Sequence, residues 1–434
     1  MRYLSTRHDT APVSLARTIE TGLAADGGLY VPEHMPRIDP ADFPTDATLA
    51  ELAVPLLAPF FAGDSLECEL PTIAAEALDF PAPVTPWPWA DAGLLELFHG
   101  PTAAFKDVGA RFLAACLRRL RADTDRPLTI LVATSGDTGA AVAAAFHQVP
   151  GIRVCILYPD GRVSPRQAHQ LGCFGGNVRA LRVAGSFDDC QRLVKQALAD
   201  TELKAQVPLS SANSISLGRL LPQMTWYAQA ALRHHGQFGE PANFIVPTGN
   251  LGNALAGIWA RAMGLPINHI HLACNANATL PDYLDGHDYR ARASLPTLAN
   301  AMDIGDPSNF ERLRWLYDND NTRIRAAVTA GSVDDDAIRD TIATLHRDHD
   351  IAVCPHTATA AHQLAALRGA GDTRHWHIVA TAHPAKFDQT VEPLVGHRVP
   401  LPPTLEALLQ RPSHAHPLPS EPGALREVLI QEAV

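Results

Sequence analysis

Lysine is scarce in this chain. Of 35 basic side chains in 434 residues only four are Lys, namely Lys106, Lys195, Lys204 and Lys386. Positive charge is in deficit overall, with a net charge of −11, which argues against nucleic acid or an anionic membrane as a partner. Cysteine is also sparse. The seven cysteines are odd in number and form no Cys-x-x-Cys pair, which excludes a disulfide framework and predicts reduced thiols and a cytoplasmic location. No apolar run reaches the roughly 20 residues that span a bilayer. The opening Met1-Arg2-Tyr3-Leu4-Ser5-Thr6-Arg7 lacks the apolar centre of a secretion signal.

What remains is an ordinary globular composition, 46% hydrophobic and 19% charged, enough for two or three domains with real cores. Against this background Lys106 stands out. The chain uses Arg wherever a plain positive charge suffices, yet keeps Lys in the apolar segment Phe98-His99-Gly100-Pro101-Thr102-Ala103-Ala104-Phe105-Lys106-Asp107. A desolvated ammonium loses its proton more readily and becomes a nucleophilic amine able to condense with an aldehyde; a guanidinium does not. The plain alternative is a half-buried ion pair with Asp107.

Residues 1–85 read as a mostly helical N-terminal domain that ends in the Pro-rich joint Pro81-Ala82-Pro83-Val84-Thr85-Pro86-Trp87-Pro88, which no helix or central strand tolerates. Residues 86–395 alternate apolar runs with amphipathic stretches. Strands are predicted at 128–134, 153–158, 177–183, 243–246, 269–274 and 376–381. Helices are predicted at 140–147, 165–171, 357–368 and, behind the capping pattern Ser186-Phe187-Asp188-Asp189, to about 200. Such alternation predicts an α/β core of two subdomains, with parallel sheets covered by helices. Residues 396–434 carry seven prolines and read as an extended wrap ending in a short helix.

Ligands gather at the carboxyl ends of parallel strands, and three unusual loops fall there. In Ala133-Thr134-Ser135-Gly136-Asp137-Thr138-Gly139 small residues precede a helix whose first N–H groups suit a carboxylate. In Pro247-Thr248-Gly249-Asn250-Leu251-Gly252-Asn253 the Gly-x-x-Gly at a helix start makes a nest for a phosphate. It lacks the spacing of a dinucleotide loop, and neither loop is a Walker A motif. In Ala380-Thr381-Ala382-His383-Pro384-Ala385-Lys386 a hydroxyl is placed to meet a heteroaromatic nitrogen. An isolated lysine, a phosphate nest and a neutral hydroxyl donor together describe a site for pyridoxal 5′-phosphate.

These residues are recognisable as a set. The chain resembles the threonine synthase family, long-chain bacterial and fungal type, over nearly its whole length. Seven ordered segments carry the likeness: residues 3–7, 22–33, 98–107, 133–139, Ser211-Ala212-Asn213-Ser214-Ile215, the Gly249 loop and residues 381–387. The resemblance implies pyridoxal-phosphate fold type II, of the tryptophan synthase β-subunit kind, with an extra N-terminal domain. It implies that Lys106 carries the cofactor and Phe105 packs beside it. Asp137 stands where shorter members place an Asn near the phenolic oxygen. Gly249, Asn250, Leu251, Gly252 and Asn253 line the phosphate, and Thr381 faces the pyridine nitrogen.

The implied reaction takes O-phospho-L-homoserine and water to L-threonine and phosphate, in a monomer or homodimer. For the substrate carboxylate the candidates are Ser135 and Thr138. For its phosphate they are Arg162, Ser164, Asn213, Ser214 and Arg219, since Arg forks suit phosphate. Three other readings stay open: a phospholyase yielding 2-oxobutyrate, a non-catalytic nucleotide-binding module, and Lys386 as the cofactor-bearing lysine. Threonine dehydratase is disfavoured, because the Lys106 segment is not its Ser-x-Lys-x-Arg-Gly type. No metal is expected: the His-x-His pairs 269/271, 375/377 and 414/416 have no carboxylate or Cys beside them to complete a ligand set.

Overall fold

The computed structural model describes residues 1–434 apart from Ala90, Asp123 and Val434, and apart from the side chains of Glu432 and Ala433. Two parallel sheets organise the molecule. One runs in the order Val328–Ser332, Ile267–Cys274, Ala242–Pro247, Trp376–Ala380, Ala92–Glu96 and Val84–Pro86, with only the last strand antiparallel. The other runs His416–Leu418, Val178–Val183, Ile152–Pro159, Leu128–Ala133 and Leu209–Ser211, parallel throughout. Every residue of Leu128–Ala133, Ala242–Pro247 and Trp376–Ala380 is buried, as continuous apolar runs between two helical layers require.

The predicted strands and helices all form, with ends shifted by a few residues. Ser186 and Asp189 make the expected reciprocal cap at the start of the helix Phe187–Ala199. The Pro-rich joint becomes the edge strand Val84–Pro86, where a missing N–H costs no ladder bond.

One expectation needs correcting. The tail is not merely an extended wrap. It contains the helix Pro403–Leu409 and the strand His416–Leu418, which pairs in parallel with Val178–Val183. Leu418, Leu425 and Leu429 are buried with Leu181, Leu193 and Leu203 in one core. The prolines concealed this strand because they break its pattern, yet an edge strand tolerates them. The N-terminal segment packs onto the α/β core. Tyr3, Leu15, Leu56 and Phe61 pack in the same cluster as Phe112, Leu220 and Trp259.

Candidate active site

Backbone pairing fixes Lys106 before its side chain does anything. Ala103 stands at φ 55°, a left-handed conformation that costs a residue with a Cβ about 1–2 kcal/mol. Ala104 bridges to Ala382, the Phe105 N–H donates to the Thr381 carbonyl at 2.8 Å, and the His383 N–H donates to the Ala103 carbonyl at 3.0 Å. The lysine loop is thus zipped to the end of the strand Trp376–Ala380, and Lys106 opens the helix Lys106–Leu120.

The Lys106 amine meets Thr138 at the start of the helix Asp137–Phe146, with Nζ donating to Oγ1 at 2.9 Å. Burial, helped by the cations of Arg219 and Lys386 and opposed by Asp137, lowers its pKa to about 8. About a tenth of such amines is neutral at pH 7. The ion pair with Asp107 does not form. That carboxylate instead accepts from the Thr102 N–H at 2.8 Å and the Thr102 hydroxyl at 2.7 Å.

Asp137 has a partner that sequence reading did not assign to it. Its Oδ1 lies 2.9 Å from Lys386 Nζ and accepts from Gln167 Nε2 at 3.1 Å. Burial alone would raise the Asp137 pKa, but Lys386 and then Lys106 pull it down to about 2. Lys386 is fully buried and also donates to the Thr102 carbonyl at 2.6 Å. Its amine is committed to two acceptors and does not line the cavity that Lys106 enters. Nothing here favours it as the cofactor-bearing lysine.

That cavity is lined by Phe105, Lys106, Asp137, Thr138, the loop 247–254 and Thr381. The helix Gly252–Met263 starts on it with no side chain capping its first turn, and Leu251 before it adopts φ 64°. Those free N–H groups form an anion site. A Cβ at Gly249 would come within 2.6 Å of Met302 Cα, so only glycine fits there. Asn253 accepts from the Tyr227 hydroxyl at 2.7 Å and leaves its buried Nδ2 without a partner. By contrast, the Asn250 side chain is engaged, donating to Ser214 Oγ at 2.7 Å and accepting from the Ser308 N–H at 2.6 Å. Thr381 is buried on the cavity wall. A near-neutral amine, an uncapped helix start, an orphaned amide donor and a hydroxyl fit the aldehyde, phosphate and ring nitrogen of pyridoxal phosphate.

Of the residues expected to hold substrate, Thr138, Ser214 and Arg219 line this cavity. Arg219 is buried, with Nη1 on the Ala212 carbonyl and Nε unpartnered, and burial lowers its pKa to about 10. Four candidates lie outside the lining. Ser135 and Asn213 are half-buried, and Arg162 is exposed. Ser164 caps the helix Pro165–Gly172 by accepting from the Gln167 N–H. Sequence reading missed His356, which lines the cavity, accepts from the Ala301 N–H at 3.2 Å and has an unpartnered Nδ1. Burial lowers its pKa to about 4, so it is neutral. Its one local signal is the Pro355 helix start, which says nothing about a site 250 residues from Lys106.

Comparison with known proteins agrees with this geometry. Residues 94–384 match the family model described as pyridoxal-phosphate dependent enzyme. Residues 2–78 match the threonine synthase N terminus and residues 357–429 its C-terminal counterpart. The chain is 37% identical to a threonine synthase of Serratia marcescens, with 99% of both chains covered. Among solved structures, the threonine synthase from Escherichia coli superposes with a TM-score of 0.90 at 36% identity over the whole of both chains. The pyridoxal-phosphate-bound threonine synthase from Brucella melitensis gives 0.90 at 34% identity, covering 100% of this chain and 99% of that one.

Proposed function

The chain belongs to the threonine synthase family of pyridoxal-phosphate-dependent enzymes, and from that premise we infer that it converts O-phospho-L-homoserine and water to L-threonine and phosphate. One observation carries the reading at atomic level: the Lys106 amine, held near neutrality, enters a cavity whose opposing groups match this cofactor. Lys106 would hold pyridoxal phosphate, and Phe105 would flank it. The free N–H groups at Gly249, Asn250, Leu251 and Gly252 and the Asn253 amide would take its phosphate, and the Thr381 hydroxyl would take its ring nitrogen. When bound, the cofactor supplies an electron sink for carbons next to the substrate amine.

The protein's own groups do the rest. A pKa of about 8 lets Lys106 both accept and donate protons near neutral pH, as exchange at substrate Cα and Cβ requires. The Thr138 hydroxyl orients that amine. Arg219 and Ser214 are our assignment for the substrate phosphate, supported by their place in the lining. Buried walls keep bulk water from competing with the one water that must add. We leave Ser135, Arg162, Ser164 and Asn213 outside the assignment. Seven free cysteines support a cytoplasmic location.

The test is to incubate the purified holoenzyme with O-phospho-L-homoserine and quantify the products. Threonine and phosphate should appear in equal amounts. The appearance of 2-oxobutyrate and ammonia in place of threonine would replace this reading with a phospholyase. For the substrate assignment, Arg219→Ala should raise KM while leaving the colour of the bound cofactor intact.

A further inference from the structure

The His375-x-His377 pair lacks a third ligand in sequence, but the fold supplies one. His234, near the carboxyl end of the helix Met224–Phe238, packs against both, and the ligand-capable atoms of His234, His375 and His377 all lie within 4.8 Å of one another. His377 Nε2 and His234 Nδ1 are 3.1 Å apart, and the three ring centroids are 4.8–5.0 Å from each other. Two imidazole nitrogens bound to one zinc at the usual ~2.0–2.1 Å stand about 3.3 Å apart in a tetrahedron. The closest pair is therefore already at ligating distance. His234 and His377 are buried, while His375 is half-buried at the head of its strand. His375 must move to close the remaining gap, since the three atoms lie within 4.8 Å of one another.

We propose that His234, His375 and His377 form a divalent transition-metal site, of zinc type, on the face of the molecule away from the cofactor cavity. A solvent molecule takes the fourth position on the half-exposed side of His375. Ligand chemistry agrees with the geometry. Imidazole is the commonest metal ligand, and three imidazoles converge here. The nearby Asp91 carboxylate and the negative end of the helix dipole favour a cation, against the Arg368 guanidinium. Phe244 and Phe238 wall the cluster.

The placement gives the site a structural role. His377 lies near the start of the strand Trp376–Ala380, whose far end leads to Thr381, about 13 Å away at the usual strand rise. The metal joins that strand to the helix that carries Tyr227, the hydroxyl donor to Asn253. It is a staple between two elements that hold cofactor-site residues.

The experiment uses untagged, chelator-dialysed holoenzyme titrated with ZnCl₂ by equilibrium dialysis, and with Co²⁺ followed by visible absorption. One equivalent of zinc per chain and the intense band of tetrahedral cobalt are expected. His375→Asn, at a half-exposed position that tolerates change, should weaken zinc at least about tenfold, and His234→Gln should do the same. His269→Asn and His414→Asn should bind as the parent does. Substoichiometric zinc, or parent-like affinity in both His375→Asn and His234→Gln, would overturn the site and leave a plain imidazole–imidazole hydrogen bond. The cofactor absorption of each variant shows independently that it has folded.

Discussion

The surroundings of the half-buried Lys106 and the fully buried Lys386 differ in one respect. The Lys106 amine contacts a hydroxyl at 2.9 Å and feels Asp137 without contacting it, against the cations of Arg219 and Lys386, whereas Lys386 contacts a carboxylate at 2.9 Å and a carbonyl at 2.6 Å. Burial with no carboxylate in contact favours the neutral amine, and burial against one favours the ion pair. One lysine is thereby pushed toward the neutral amine and the other is held in an ion pair. Asp137 connects the two, because its charge is balanced by Lys386 and felt by Lys106.

The largest test exchanges the two lysines. Lys106→Ala should cut kcat by about 10³-fold or more, and borohydride reduction of the native holoenzyme should attach the cofactor to the Lys106 peptide. Finding it on the Lys386 peptide would break the comparison. Next, Asp137→Asn strips Lys386 of its partner and should destabilise the fold by about 3–5 kcal/mol in urea unfolding. Adding Lys386→Met should recover much of that loss. A stability change near zero in the single variant would mean that the pair holds nothing in place.

A third test concerns alkaline pH in the cofactor-free chain. With Lys106 near 8 when folded and 10.5 when unfolded, the unfolded state binds the extra proton between those values. Stability therefore rises with pH across that window, by at most about 1.4 kcal/mol per unit. Water in the cavity screens part of this. Lys106→Met should flatten the rise, as read from unfolding curves at pH 8, 9 and 10. The smallest effect belongs to Thr138→Val, which removes one hydrogen bond worth about 0.5–1.5 kcal/mol. It should slow turnover severalfold while retaining the cofactor. Loss of the cofactor from that variant would assign Thr138 a binding role in place of an orienting one.

Much of this site was legible in the sequence because its chemistry is local. Loops at strand ends announce themselves by Gly, Pro and hydroxyl residues, so Lys106, Gly249 and Thr381 stood out, and all three line one cavity. Residues whose role depends on distant partners did not stand out. His356 reads as an ordinary helix-start residue, and the Asp137–Lys386 pair spans almost 250 positions. Arg162 shows the converse. Its motif looked suited to phosphate, yet the side chain is exposed and away from the lining. The tail strand His416–Leu418 was obscured because edge pairing is tolerant of proline.

Sequence by itself determined the parallel α/β layers and singled out the glycine-marked helix start and the lysine that line one cavity, since periodicity, glycine placement and residue type act over a few neighbours. Only the tertiary structure decided which buried charge neutralises which, which arginine reaches the cavity, and which histidine joins the pair at 375 and 377. Those outcomes depend on distances across the fold, where desolvation makes a single carboxylate or its absence decisive.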